Sequence, residues 1–176
     1  MSGSTGAHRR YLRGAGAVLA LAFSIVTLAR AADEIVGTAT RVLSGDTLVV
    51  TTATGDTEIR LADIGAPQGS GYFAPAATTL LSNIVLNQPV RVALTGQSGP
   101  GRAFGRVYVG ELDVILELVQ RGAAWVCWEY AADTRLMPYE NDAIRYRRGL
   151  WLWTTQFDAR NKCRQRPPVA LPLSKP

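Results

Sequence analysis

Three stretches early in the chain carry a strand pattern. Ile35–Leu43 and Thr47–Thr52 are short and rich in β-branched residues. Thr57–Ile64 alternates, with Ile59, Leu61 and Asp63 on one face and Arg60, Ala62 and Ile64 on the other. The turn signals Ser44-Gly45-Asp46 and Thr54-Gly55-Asp56 separate them, which predicts a meander. Gly65–Gly71 (GAPQGSG) reads as a loop. The period then changes. Leu80, Leu81, Ile84 and Val85 fall at helical spacing and Pro75 suits a first turn, predicting a helix over Pro75–Leu86. Pro89–Leu94 and Arg106–Val109 read as strands flanking the glycine-rich loop Gly96–Gly105. Leu112, Ile115, Leu116 and Val119 form a helical stripe that Gly122 stops. Ala124–Trp128 is strand-like. Pro138–Arg148 predicts a helix with Glu140 and Asp142 near its positive end, Arg145, Arg147 and Arg148 near its negative end, and Gly149 as its stop. Trp151 and Trp153 read as core, and the chain from Pro167 onward as an unstructured tail.

About five strands, one helix between the third and fourth, and further helices toward the end predict a mainly β, α+β architecture. The expected form is a five-stranded Greek-key barrel of the OB type with about three helices. Such barrels often bind oligonucleotides or sugars, which is a fold-level analogy only.

Charge changes the domain picture. The formal net charge is +5 over 176 residues. Of the 19 Lys+Arg, four (Arg9, Arg10, Arg13 and Arg30) lie in residues 1–31, which hold no acid. They precede or close the apolar run Gly14–Ala29, and Ala29-Arg30-Ala31 fits a small-residue cleavage pattern. Residues 1–31 therefore read as a secretory signal; sixteen uncharged, mostly apolar residues fall short of the roughly 20 of a membrane-spanning helix. Arg9-Arg10 hints at twin-arginine export, although Tyr11-Leu12-Arg13 continues that motif poorly. The expected organisation is a signal over 1–31, a domain over 32–160, and a basic then Pro-rich tail over 161–176. The expected location is the bacterial periplasm or medium, as a monomer without a membrane anchor.

The remainder carries 15 Lys+Arg against 14 Asp+Glu, and the only histidine, His8, lies in the signal. Catalysis by Ser-His-Asp or Cys-His and histidine-ligated metals are thus excluded from the mature domain. The balance is uneven: residues 32–133 hold 6 basic and 11 acidic groups, and residues 134–176 hold 9 and 3. The basic end reads as a solvated face with helix capping, the alternative being a phosphate-facing patch. Two cysteines remain, Cys127 and Cys163. An oxidising compartment and an even count favour a disulfide, with two separate buried thiols as the alternative.

A set of short motifs occurs in order: Ser44-Gly45-Asp46-Thr47, Arg60 through Gln68 (RLADIGAPQ), Phe104-Gly105-Arg106, Leu118-Val119 with Gly122-Ala123, Trp128 and Tyr130, and Gly149-Leu150-Trp151. Together they resemble the staphylococcal nuclease (thermonuclease) family over roughly residues 35–155. The resemblance implies an OB-fold with helices and calcium-dependent hydrolysis of DNA and RNA phosphodiesters. That chemistry needs carboxylates on a hard cation, a glutamate to activate water, and two arginines on the phosphate. Carried over by position, Asp46 is a calcium aspartate and the Ala66 backbone a further metal ligand. Arg60 and Arg106 are the arginines, and Trp128 and Tyr130 flank the nucleotide.

The transfer is incomplete. The family's Ile-Asp-x-Pro-Glu reads Ile64-Gly65-Ala66-Pro67-Gln68, so the second calcium aspartate is Gly65 and the catalytic glutamate is Gln68. Arg102 stands where an aspartate often precedes the aromatic-Gly-Arg motif. Gln68 has no useful basicity, and losing a general base costs about 10²–10⁴-fold in rate. Asp63 could substitute for the missing aspartate only through a local bulge. The expected function is an exported thermonuclease-like domain with a weakened calcium site. Its hydrolysis is impaired or lost, with residual binding of single-stranded nucleic acid or a nucleotide. The alternatives are an active calcium-dependent endonuclease using Asp63, and a non-catalytic periplasmic module binding a protein or an envelope polysaccharide.

Overall fold

The computed structural model describes residues 34–95, 101–154 and 163. The signal segment and the tail other than Cys163 lie outside the described residues. The first three strands are β1 (Glu34–Ser44), β2 (Thr47–Thr52) and β3 (Gly55–Leu61). β4 (Ile64–Gly65), α1 (Ala74–Val85), β5 (Pro89–Leu94) and β6 (Arg102–Val109) follow. β7 (Leu112–Asp113), α2 (Val114–Gln120), β8 (Trp125–Val126), α3 (Leu136–Arg145) and a 3-10 turn (Gly149–Leu152) complete the described elements.

The main sheet runs β3-β2-β1-β5-β6-β7, and β3 also pairs with β6. That last pairing, parallel where the neighbouring pairs are antiparallel, closes a five-stranded barrel. Alternation sets the faces: Ile59 and Leu61 of β3 and Ala103 and Val107 of β6 are buried inside with Leu48, Val50 and Val92. Leu81 and Val85 of α1, Ile115 and Leu118 of α2, and Leu136 join the same core. The barrel with three helices is the expected OB-type architecture.

A second cluster holds Trp125, Cys127, Ala143, Leu150, Trp151 and Cys163. Cys127 and Cys163 form a disulfide with their Cα atoms 5.5 Å apart. β4 pairs with β8, setting Gly65 opposite Trp125 at the edge of this cluster.

Several boundaries differ from those predicted. β3 ends at Leu61, because Asp63 adopts a left-handed φ of 61° that no strand continues through. β6 starts at Arg102, within the expected loop, because parallel pairing with β3 supplies its hydrogen bonds. Leu112 belongs to β7, and α2 begins at Val114 with Asp113 as its cap. α3 begins at Leu136, which leaves Pro138 in the first turn where its missing N–H costs nothing. Trp151 is buried as expected, but Trp153 is 69% exposed and meets Tyr72 edge-on.

Candidate functional site

The site grows from the β1–β2 turn. Ser44-Gly45-Asp46-Thr47 reverses the chain from the half-exposed β1 into the buried start of β2, and Gly45 fits against the Ala66 and Ala77 methyls where a Cβ would meet Ala77 Cβ at 2.7 Å. Asp46 is thereby driven inward and is fully buried. Burying a carboxylate is costly unless donors surround it. Here Ser44 Oγ (2.9 Å), Thr47 Oγ1 (3.0 Å) and Ala66 N–H (3.2 Å) donate to it. Gln68 Nε2 donates from 3.2 and 3.4 Å to its two oxygens.

Above this carboxylate lies an open cleft of about 520 Å³ lined by Leu43, Ser44, Thr47, Glu58, Arg60, Gln68, Gly69, Arg102, Ala103 and Phe104. Arg60 sits opposite Thr47 across the β2–β3 ladder and opposite Phe104 across the β3–β6 pair. The structure therefore brings together Asp46, Ala66, Gln68 and Arg60, all singled out from sequence.

It does not bring the others to this cleft. Arg106 is 8% exposed and pairs with Asp113 (Nε, 2.6 Å) and Asp133 (Nη1, 2.5 Å). Its Nη2 is buried with no hydrogen-bond partner among the described residues. Asp113 meanwhile caps α2 by accepting from the N–H groups of Ile115 and Leu116. Asp133 is held down to a pKa of about 2, first by its hydrogen bond from Arg135, with Arg106 adding to the effect. Asp63 turns toward the 127–132 segment, its carbonyl accepting from Cys127 N–H and its carboxylate from Ala132 N–H. Trp128 donates its indole N–H to Glu140 at 2.7 Å, and Tyr130 packs on the disulfide cluster.

Sequence reasoning missed two residues. Glu140, read only as a charge near the positive end of its helix, is 1% exposed and accepts from Val126 N–H and Trp128 Nε1, both at 2.7 Å. Its spacing from Leu136 (i+4) and Ala143 (i−3) places it on the apolar face of α3, which was a legible signal. Arg102 appeared only as a departure from a motif, yet it lines the cleft.

The donor set does not fit a hard divalent cation, which takes oxygen ligands and gains affinity with ligand charge. Gly65 brings no carboxylate, and a Cβ added there would stand 2.6 Å from Trp125 Nε1, so any side chain requires the indole to shift. Trp125 is itself buried and donates to Cys163 Sγ at 3.1 Å. Gln68 and Ala66 turn N–H groups, not oxygens, toward Asp46. Among the described residues no three His, Cys, Asp or Glu side chains cluster as a metal site.

A family model described as staphylococcal nuclease homologue matches residues 58–153. An uncharacterized endonuclease of Escherichia coli O157:H7 is 34% identical over 119 residues, which is 67% of this chain and 78% of that protein. A micrococcal nuclease of Shigella flexneri is 32% identical over 151 residues, covering 80% and 84% of the two chains.

Proposed function

The chain belongs to the staphylococcal nuclease homologue family, and on that premise we propose that it is an exported nucleic-acid-binding protein whose hydrolytic power is impaired or lost. Members of that family are hydrolases of nucleic acid and calcium-dependent in general. The reading rests above all on Gln68, whose amide donates to the buried Asp46 carboxylate from the position where the family carries its glutamate.

An amide at that place cannot take a proton from water. The missing base alone removes about 10²–10⁴ of rate. The poor fit of Gly65, Ala66 and Gln68 to calcium removes the second requirement. What remains is recognition. Arg60, which lines the cleft, would meet a phosphodiester oxygen with a forked cation, the geometry that suits arginine best. Arg106, locked between Asp113 and Asp133, serves the fold instead. The signal features of residues 1–31 and the Cys127–Cys163 bond support export to an oxidising compartment.

The test is a nuclease assay with single-stranded and duplex DNA and RNA, in calcium and in chelator. Cleavage in calcium should stay at least 10²-fold below that of a family member that carries both the glutamate and the second aspartate. Chelator-sensitive cleavage at a comparable rate would overturn the reading.

A further inference from the structure

The position that precedes the Phe104-Gly105-Arg106 motif deserves a function of its own. β3 and β6 pair in parallel with Glu58 beside Arg102, Ile59 beside Ala103, Arg60 beside Phe104 and Leu61 beside Gly105. Alternation sends Ile59, Leu61, Ala103 and Gly105 into the barrel. Glu58, Arg60, Arg102 and Phe104 therefore form one outward block, and all four line the cleft. Two arginines, a half-buried phenyl ring and the exposed Leu43 side chain thus share one concave surface with Ser44, Thr47 and Gln68.

We infer that this block is a cation-independent binding site for a single-stranded phosphodiester backbone, in which Arg102 acts as the second arginine beside Arg60. The inference rests on the nucleic-acid reading above and deepens it. Arg106 has two carboxylates of its own, so its charge is already matched. Among the described residues Arg102 has one, Glu58, at 3.2 Å, and its side chain is 73% exposed. Exposed pairs of this kind are weak and exchange readily for a phosphate. Phe104 supplies an apolar face on which a base stacks without sequence preference. Beneath them the Gln68 amide meets the Asp46 carboxylate with a donor, so an incoming phosphate does not face a bare negative charge and needs no metal between.

The test is fluorescence anisotropy of a labelled 20-nucleotide oligo-dT against the purified full chain, in chelator and in calcium, across a salt series. Binding should be equal in the two conditions within about twofold, and should weaken with salt as phosphate contacts do. Arg60→Ala and Arg102→Ala should each weaken it about fivefold or more and each lower the salt slope by about one contact. Glu58→Gln, which releases Arg102, should tighten it. Binding that appears only in calcium, or that is indifferent to Arg102→Ala while lost in Arg60→Ala, would overturn the inference and leave the nucleic-acid reading standing. Absence of any binding by the unaltered chain would overturn both. Thermal melting of each variant separates lost contacts from lost fold, since both arginines lie on the barrel's outer face.

Discussion

Arg106 holds Asp113 at 2.6 Å and Asp133 at 2.5 Å with only a tenth of its side chain exposed. Removing one partner from a largely buried ion network leaves the others uncompensated, at a cost of about 3–5 kcal/mol. Arg106→Ala should therefore lower unfolding stability by that order, read from urea midpoints, because it strands Asp113, the cap of α2, and leaves Asp133 with Arg135 alone. Arg60→Ala, on the outer face of the barrel, should cost less stability than Arg106→Ala. A stable Arg106→Ala that loses oligonucleotide binding would return Arg106 to the phosphate. The contrast explains what a single sequence reveals. Asp46, Ala66 and Gln68 were legible because two short local motifs carry them, and the fold needs only to bring 46 next to 66 and 68. The partners of Arg106 were not, since Asp113 lies across a hairpin and Asp133 in a distant loop. Arg102 depends on the register of β3 with β6, a tertiary fact, whereas Glu140 stood at legible helical spacing from Leu136 and Ala143 and only its partners, Val126 and Trp128, were hidden.

At the scale of elements, strand and helix identities followed from periodicity, and their ends did not. β3 stops where Asp63 turns left-handed, held there by Cys127 and Ala132 N–H groups that arrive from 64 and 69 residues along the chain. β6 gains residues 102–105 from the barrel closure, and α3 begins before its proline because Asp133 and Thr134 carbonyls accept its first N–H groups. That entry to α3 is also electrostatic. Arg135 donates to both oxygens of Asp133 at 2.9 Å and holds its pKa at about 2, against an ordinary 3.8. A lowered carboxylate pKa gives stability that is complete above the ordinary value and is lost as pH falls toward the folded one. Arg135 is 69% exposed, so solvent screens its share of that stability. Arg135→Ala should therefore be less stable than the unaltered protein at pH 5. The gap should close between pH 4 and pH 2. A gap constant across that range in acid-titrated melting curves would show that Arg135 acts by packing and not by charge.

For the molecule as a whole, the disulfide carries more than its own loop. Cys127 follows β8 directly, and Cys163 lies beyond the 3-10 turn, 36 residues on. The bond gathers Trp125, Ala143, Leu150 and Trp151 into a second core beside the barrel, and Trp125 in turn lies over Gly65 two residues before the Pro67-Gln68 pair. Chain-entropy reasoning puts closure of a loop of this length at about 3–4 kcal/mol, with native strain reducing the measured value. Reduction of the full chain, or the Cys127→Ser/Cys163→Ser pair, should lower unfolding stability by about 2–4 kcal/mol, read as a shift in the urea midpoint. Because Gly65 and Gln68 follow one another closely along the same turn, the reduced chain should also bind oligo-dT more weakly while Arg60 and Arg102, on the barrel strands, keep their places. Unchanged stability on reduction would mean that the second core stands on its apolar contacts alone. A fall in stability with binding intact would mean that the cleft is built by the barrel and owes nothing to the indole behind it.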